Sequence, residues 1–125
     1  MENRNIILVV DDSSANLQMC KGLLSTEYDV RLAKSGKMAL SALQKVRPDI
    51  ILLDIEMPDM TGFEVMEEIN KNTEMDGVSV LFLTSHASER LVSKAVEQGA
   101  VDYIVKPFTP EVLRSKIKSA IQART

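Results

Sequence analysis

The stretch from Pro48 to Gly62, PDIILLDIEMPDMTG, decides the fold of this chain. An unbroken apolar run, Ile50 to Leu53, ends at Asp54, and a turn containing Met57 and Pro58 follows before a helical pattern opens near Thr61. Continuous apolar character over so few residues suits a strand buried on both faces, as in a parallel sheet covered by helices. Asp54 is then a carboxylate at the tip of a buried strand. Such a group is costly to place unless another charge pairs with it, so the rest of the sequence is searched for that partner.

Toward the N-terminus, Ile6 to Val10 is a second buried-strand run, after which Asp11, Asp12, Ser13 and Ser14 form a polar break and a helix start. Leu17, Cys20 and Leu24 continue at a spacing of three to four. Tyr28 to Ala33 reads as a more polar strand at a sheet edge, and Ser35-Gly36 lead into a helix carrying Ala39, Leu43 and Val46 that Pro48 stops. Toward the C-terminus, Phe63, Met66 and Ile69 mark a helix, and Asn70 to Gly77 is a polar connection without periodicity. Val78 to Thr84 is a further apolar strand, and a helix with Leu91, Ala95 and Val96 ends at Gly99. A short strand, Asp102 to Val105, runs into Lys106-Pro107. The last helix takes Thr109 as cap and Pro110 at its first position, with Leu113, Ile117, Ala120 and Ile121 on one face.

Five strand-helix pairs in strict alternation predict an α/β fold: a doubly wound, five-stranded parallel sheet with helices on both faces and the flavodoxin-like strand order 2-1-3-4-5. With 125 residues, 45% hydrophobic and 26% charged, and with no repeat or linker, the chain reads as one domain spanning 1–125. A net charge of -3 gives no support to direct nucleic-acid binding. No apolar run approaches the roughly 18 residues of a membrane span, and the opening MENRN lacks the features of a signal peptide, so a soluble, cytoplasmic protein is expected. The single cysteine, Cys20, permits no intramolecular disulfide and reads as packed core. The seven methionines read as core filling, and Arg114, Lys116 and Lys118 as a solvated face of the last helix.

Ligands of an open parallel sheet bind beyond the carboxyl ends of its strands. Those ends carry chemistry here: Asp11 and Asp12 after the first strand, Asp54 at the third, Thr84 at the fourth and Lys106 at the fifth. Three converging carboxylates would repel unless a cation joined them. A hard divalent ion bound through oxygen, Mg2+, fits best and leaves positions open for a phosphate oxygen. Asp54 could then be a carboxylate nucleophile forming an acyl phosphate, with Lys106 supplying a point charge and Thr84 a hydroxyl donor to the transferring group.

At these residues the sequence resembles a receiver domain (CheY-like) of two-component response regulators. The resemblance covers essentially the whole chain and rests on Asp11-Asp12, on DIEMPDMTG around Asp54, on Thr84-Ser85, on Tyr103 and on Lys106-Pro107. It implies that Asp54 accepts the phosphoryl group, that Asp12 binds Mg2+ directly, that Asp11 positions the ion partly through water, and that the Glu56 backbone carbonyl is a further ligand. It also implies that Thr84 and Tyr103 couple phosphorylation to a change of surface and that the Lys106-Pro107 bond is cis. His86 looks like a phosphohistidine candidate, but in receivers this position lies beside the site and tunes phosphoryl lifetime. The implied partners are a sensor histidine kinase or histidine phosphotransfer protein and a downstream effector or fused output domain, with a homodimer as a further option. The domain would catalyse its own phosphorylation and dephosphorylation without being a metabolic enzyme.

Other readings stand beside this one. Asp11 and Asp12 could cap the first helix, Asp54 could be a turn residue, Thr84 a satisfied strand-end hydroxyl, Lys106 a solvated charge and Tyr103 simple packing. A flavodoxin-like cofactor carrier shares the fold class but needs a hydroxyl- and glycine-rich phosphate loop where Asp11 and Asp12 stand. An aspartyl phosphatase needs a second aspartate two positions on, where this chain has Glu56. A receiver-like interaction module without phosphorylation would not need all five site residues intact. With no effector domain after the last helix, the chain is expected to be a stand-alone regulator or a receiver from a longer protein.

Overall fold

A computed structural model of the protein describes residues 4–124. The apolar runs become the central strands: β1 (Ile6–Val10), β3 (Ile50–Asp54) and β4 (Ser79–Thr84) are buried almost throughout, while β2 (Asp29–Ala33) and β5 (Asp102–Val105) are only partly covered. Burial follows position, because the sheet is parallel with order β2-β1-β3-β4-β5 and the two mixed strands are its edges. This is the doubly wound order expected from the alternating pattern.

Among the described residues four α-helices connect these strands and a fifth follows β5: α1 (Ser14–Leu24), α2 (Gly36–Leu43), α3 (Gly62–Lys71), α4 (Glu89–Glu97) and α5 (Pro110–Gln122). Each begins on a hydroxyl side chain that accepts a first-turn N–H: Ser13, Ser35, Thr61, Ser88 and Thr109. At α3 the cap is reciprocal, since Glu64 also accepts the Thr61 N–H at 2.9 Å. Pro110 opens α5 where no N–H is needed, and Gly99 follows α4 with φ of 92°, a conformation that suits a residue without Cβ.

Alternating side chains of the strands divide the apolar interior. Ile7, Val9, Ile50, Leu52, Leu81 and Leu83 face α1 and α5, whereas Leu8, Val10, Ile51, Leu53, Val80 and Phe82 face α2, α3 and α4. The register sets Val10 beside Ala33 and Leu53, Asp54 beside Leu83, and Thr84 beside Val105. The C-terminal strand ends are therefore level, and the residues that follow them meet at one edge.

Several boundaries and faces differ from expectation. Tyr28 precedes β2, its N–H bonded to the Leu24 carbonyl at 3.0 Å as the end of α1 unwinds. Val78 precedes β4, bonded to Met75 at the end of a short 3-10 turn (Thr73–Met75) that interrupts the expected loop and buries Met75. α2 stops at Leu43 rather than at Pro48, because Gln44 and Lys45 close a tighter turn through bonds to Ser41 and Ala42. Val46 thus lies beyond the helix.

Val96 is 67% exposed, one residue round α4 from the inward Ala95. Met57, Met66 and Met75 are buried as expected, but Met19 and Met38 are exposed. Met1, counted with the core-filling methionines, lies outside the described residues, as do the rest of 1–3 and Thr125. Lys116 is not simply solvated: its ammonium lies 2.9 and 3.0 Å from the Asp102 carboxylate oxygens and over the Tyr103 ring. Cys20 is buried as expected, and burial, reinforced by the Asp11 charge and opposed by Lys106, pushes its thiol up to about 11. No helix among the described residues is long and apolar enough to cross a membrane.

Candidate metal centre

At the level strand ends, Asp11, Asp12 and Asp54 each turn a carboxylate oxygen toward one point, these atoms all lying within 4.8 Å of one another. β1 delivers Asp11 into full burial, held by the Ser13 N–H at 2.9 Å and by the Asn16 side-chain amide at 3.2 Å. Asp12, next in the chain, is exposed. β3 delivers Asp54, 2% exposed, whose Oδ1 accepts the Glu56 N–H at 3.2 Å.

The Lys106 ammonium, brought by β5, stands 3.2 Å from Asp11 Oδ2 and 3.4 Å from Asp54 Oδ2. One cation facing two acids benefits from both. Burial alone would lower the lysine's pKa, yet the charges of Asp54 and Asp11 leave it raised. Asp54 has no such advantage: burial, then repulsion from Asp11, lifts its carboxyl to about 7 against the pull of Lys106 and the Glu56 N–H. Two buried carboxylates facing one ammonium, with Asp12 beside them, leave negative charge that a cation would offset, and the all-oxygen donors suit Mg2+. The residues present thus fit the ion.

Backbone packing fixes the loop between β3 and α3. A Cβ on Gly62 would fall 2.5 Å from the Asp54 carbonyl oxygen and 2.9 Å from Ile55 Cα, so glycine lets α3 start against the end of β3. The Gly62 N–H bonds to the Ile55 carbonyl at 2.8 Å. Lys106-Pro107 is a cis peptide.

The remaining residues of interest surround this cluster without joining it. Thr84, buried at the end of β4, donates its hydroxyl to the His86 carbonyl at 3.0 Å and accepts the His86 N–H at 3.1 Å. Tyr103 is half-buried and shares with Thr84, Ile55, Phe82, Leu91 and Ala95 a small apolar cleft under α4. The exposed Glu56 carboxylate accepts the Ser85 hydroxyl at 3.1 Å. His86 is exposed. Sequence reasoning missed Asn16, which steadies Asp11 from the first turn of α1. Its position inside a polar helix start carries no mark distinguishing it from a solvated residue.

Comparison with known proteins agrees with this geometry. A family model, the response regulator receiver domain, matches residues 7–118. A probable cyclic di-GMP phosphodiesterase of Vibrio cholerae is 38% identical over 116 residues, which is 93% of this chain but 26% of that protein. The DNA-binding response regulator MtrA of Mycolicibacterium paratuberculosis is 34% identical over 120 residues, 95% of this chain and 52% of that protein. The chain thus spans about a quarter to a half of these relatives. Among solved structures, the chemotaxis protein CheY4 of Vibrio cholerae superposes with a TM-score of 0.91 at 34% identity, covering 94% of this chain and 99% of that one. A family model that matches residues 7–118, on a sheet of order β2-β1-β3-β4-β5 with its acidic cluster at the strand ends, means that this chain belongs to the response regulator receiver domain family.

Proposed function

We propose that Asp54 is the phosphoacceptor of this receiver, and that a sensor histidine kinase or histidine phosphotransfer protein is the donor. The observation that carries this reading is a buried Asp54 that shares the Lys106 ammonium with Asp11 and clusters with Asp11 and Asp12. Asp11, Asp12, Asp54 and the Glu56 main-chain carbonyl would hold Mg2+, which supplies positive charge to the phosphoryl oxygens when bound. An ionised Asp54 oxygen attacks phosphorus as the bond to the donor nitrogen breaks. The imidazole leaves with the electron pair and an acyl phosphate forms. Lys106, already beside Asp54, is placed to pair with the transferred oxygens, and Thr84 is one strand away to donate a hydroxyl to them.

Phosphorylation then acts through Thr84 and Tyr103 on the face formed by α4, β5 and α5. That face is the proposed contact for an effector, for a fused output domain, or for a second copy in a homodimer. We take 1–125 as one receiver domain working in the cytoplasm, with no direct nucleic-acid or membrane contact, and catalysing only its own phosphorylation and dephosphorylation. Intact-mass measurement after incubation with acetyl phosphate tests the assignment. One added phosphoryl group is expected, dependent on Mg2+ and absent from Asp54→Asn. Undiminished labelling in that variant, or in excess chelator, overturns it.

A further inference from the structure

The loop between β3 and α3 carries a carboxylate that the acceptor chemistry does not use. Asp59 Oδ1 accepts the Gly36 N–H at 3.1 Å and Asp59 Oδ2 accepts the Lys37 N–H at 3.0 Å. These are the first two amides of α2, and Ser35 Oγ accepts the third, from Met38, at 3.1 Å. The helix start is thus closed by two residues of different origin, one its own cap and the other reaching across from the acceptor loop. Both bonds of Asp59 are charge-assisted and lie at the positive end of the helix dipole. The contact is also sterically close, since a Cβ on Gly36 would fall 2.9 Å from Met60 Cβ and 3.0 Å from a Val65 methyl.

The loop is held at one end by the Gly62 N–H on Ile55 and by the lack of a Cβ against Asp54, and near its middle by the two oxygens of Asp59. Between these anchors and Asp54 lies Glu56. We infer that Asp59 is a positioning residue for the metal centre: by tying the loop between β3 and α3 to the N-terminus of α2 it fixes the segment carrying Glu56, whose main-chain carbonyl is one of the proposed ligands. The inference rests on the proposed reading of the site as a Mg2+ centre.

A residue that merely caps α2 would behave like Ser35, whose hydroxyl closes the same turn through the Met38 N–H. Mg2+ affinity is therefore measured by calorimetric titration in the parent, Asp59→Ala, Asp59→Asn and Ser35→Ala, alongside thermal unfolding of each in chelator. Asp59→Ala should weaken Mg2+ binding about tenfold, the scale of a lost ligand-orienting contact. Asp59→Asn, with one acceptor oxygen left, should fall between it and the parent. Ser35→Ala should lower the melting temperature while leaving the Mg2+ dissociation constant within about twofold of the parent's. Unchanged affinity in both Asp59 variants, or an equal loss in Ser35→Ala, overturns the inference. A parent that binds no Mg2+ overturns instead the reading on which it rests. Should Asp59→Ala fail to fold, Asp59→Asn alone decides, with any affinity equal to the parent's counting against the inference.

Discussion

Asp54 carries a raised carboxyl pKa, about 7, although the Lys106 ammonium lies only 3.4 Å from its Oδ2. The lysine is shared with Asp11, so it does not offset both burial and the neighbouring charge. Unfolded, an aspartate titrates near about 3.9. Between these values the folded chain holds a proton that the unfolded chain lacks, so this group's contribution to stability falls as pH rises from about 4 to about 7 and is constant outside that window. In chelator, the parent is therefore expected to lose stability relative to Asp54→Asn between pH 5 and pH 8, by on the order of 2 kcal/mol. Urea unfolding of both proteins across that range measures it. Parallel pH profiles would show that Asp54 titrates normally.

Division of labour among the acids is testable by burial. Asp12 is exposed and Asp11 is buried with three donors around it. Asp12→Asn should weaken Mg2+ binding sharply while metal-free stability stays level or rises slightly, because a repulsive charge is removed without leaving a buried donor unpaired. Asp11→Asn should disturb the fold as well, since it weakens the charged acceptor of Lys106 and Ser13. Mg2+ titration and unfolding of the two variants separate these effects. Equal stability loss in both would overturn the distinction.

Two glycines should respond in opposite directions to alanine. At Gly62 the new methyl meets backbone atoms that cannot move aside, so Gly62→Ala is expected to cost about 1–3 kcal/mol and to slow labelling from acetyl phosphate by shifting Asp54. Gly22 lies within α1 with nothing inside 4 Å of its Cβ position, so Gly22→Ala should add about 0.5–1 kcal/mol. Denaturant unfolding of both, with labelling rates, checks the pair.

Thr84 spends its hydroxyl on the His86 carbonyl in this structure. Under the proposed phosphorylation of Asp54, drawing that hydroxyl inward would release the bond and change the wall of the cleft beside Tyr103. NMR spectra of the Mg2+ form, with and without a beryllofluoride mimic, should change from Thr84 through His86 to Tyr103, and much less in Thr84→Ala. Changes confined to Asp11, Asp12 and Asp54 in both proteins would remove Thr84 from the relay. Reversal of a 1:99 population needs about 5.5 kcal/mol, so a partial shift also fits the scheme.

Much of this arrangement is legible in the chain because it follows from period and position. Apolar runs at Ile6, Ile50 and Val78 identify buried strands, and parallel order then carries Asp11, Asp54, Thr84 and Lys106 to one edge. What escapes is tertiary pairing between residues that look solvated. Lys116 meets Asp102 only because α5 packs along β5, and Asp59 meets α2 only because the loop between β3 and α3 folds back on it. Val96 and Met38 show the converse, apolar side chains whose exposure depends on where a short helix rotates. The early end of α2 reflects hydrogen bonding after Leu43, which no single residue type announces.

The sheet that levels the strand ends also acts as a partition. Leu17, Cys20, Leu113 and Ile117 pack on one side of it, and Phe63, Met66, Phe82 and Ala95 on the other, with no residue common to both interiors among the described residues. Paired substitutions across the partition should thus be close to independent in their energetic effects, whereas pairs within one compartment should couple. Thr84 and Tyr103 adjoin the compartment beneath α4. The interior beneath α1, where Leu17 and Cys20 sit, can therefore be repacked while the packing around Thr84 and Tyr103 stays untouched.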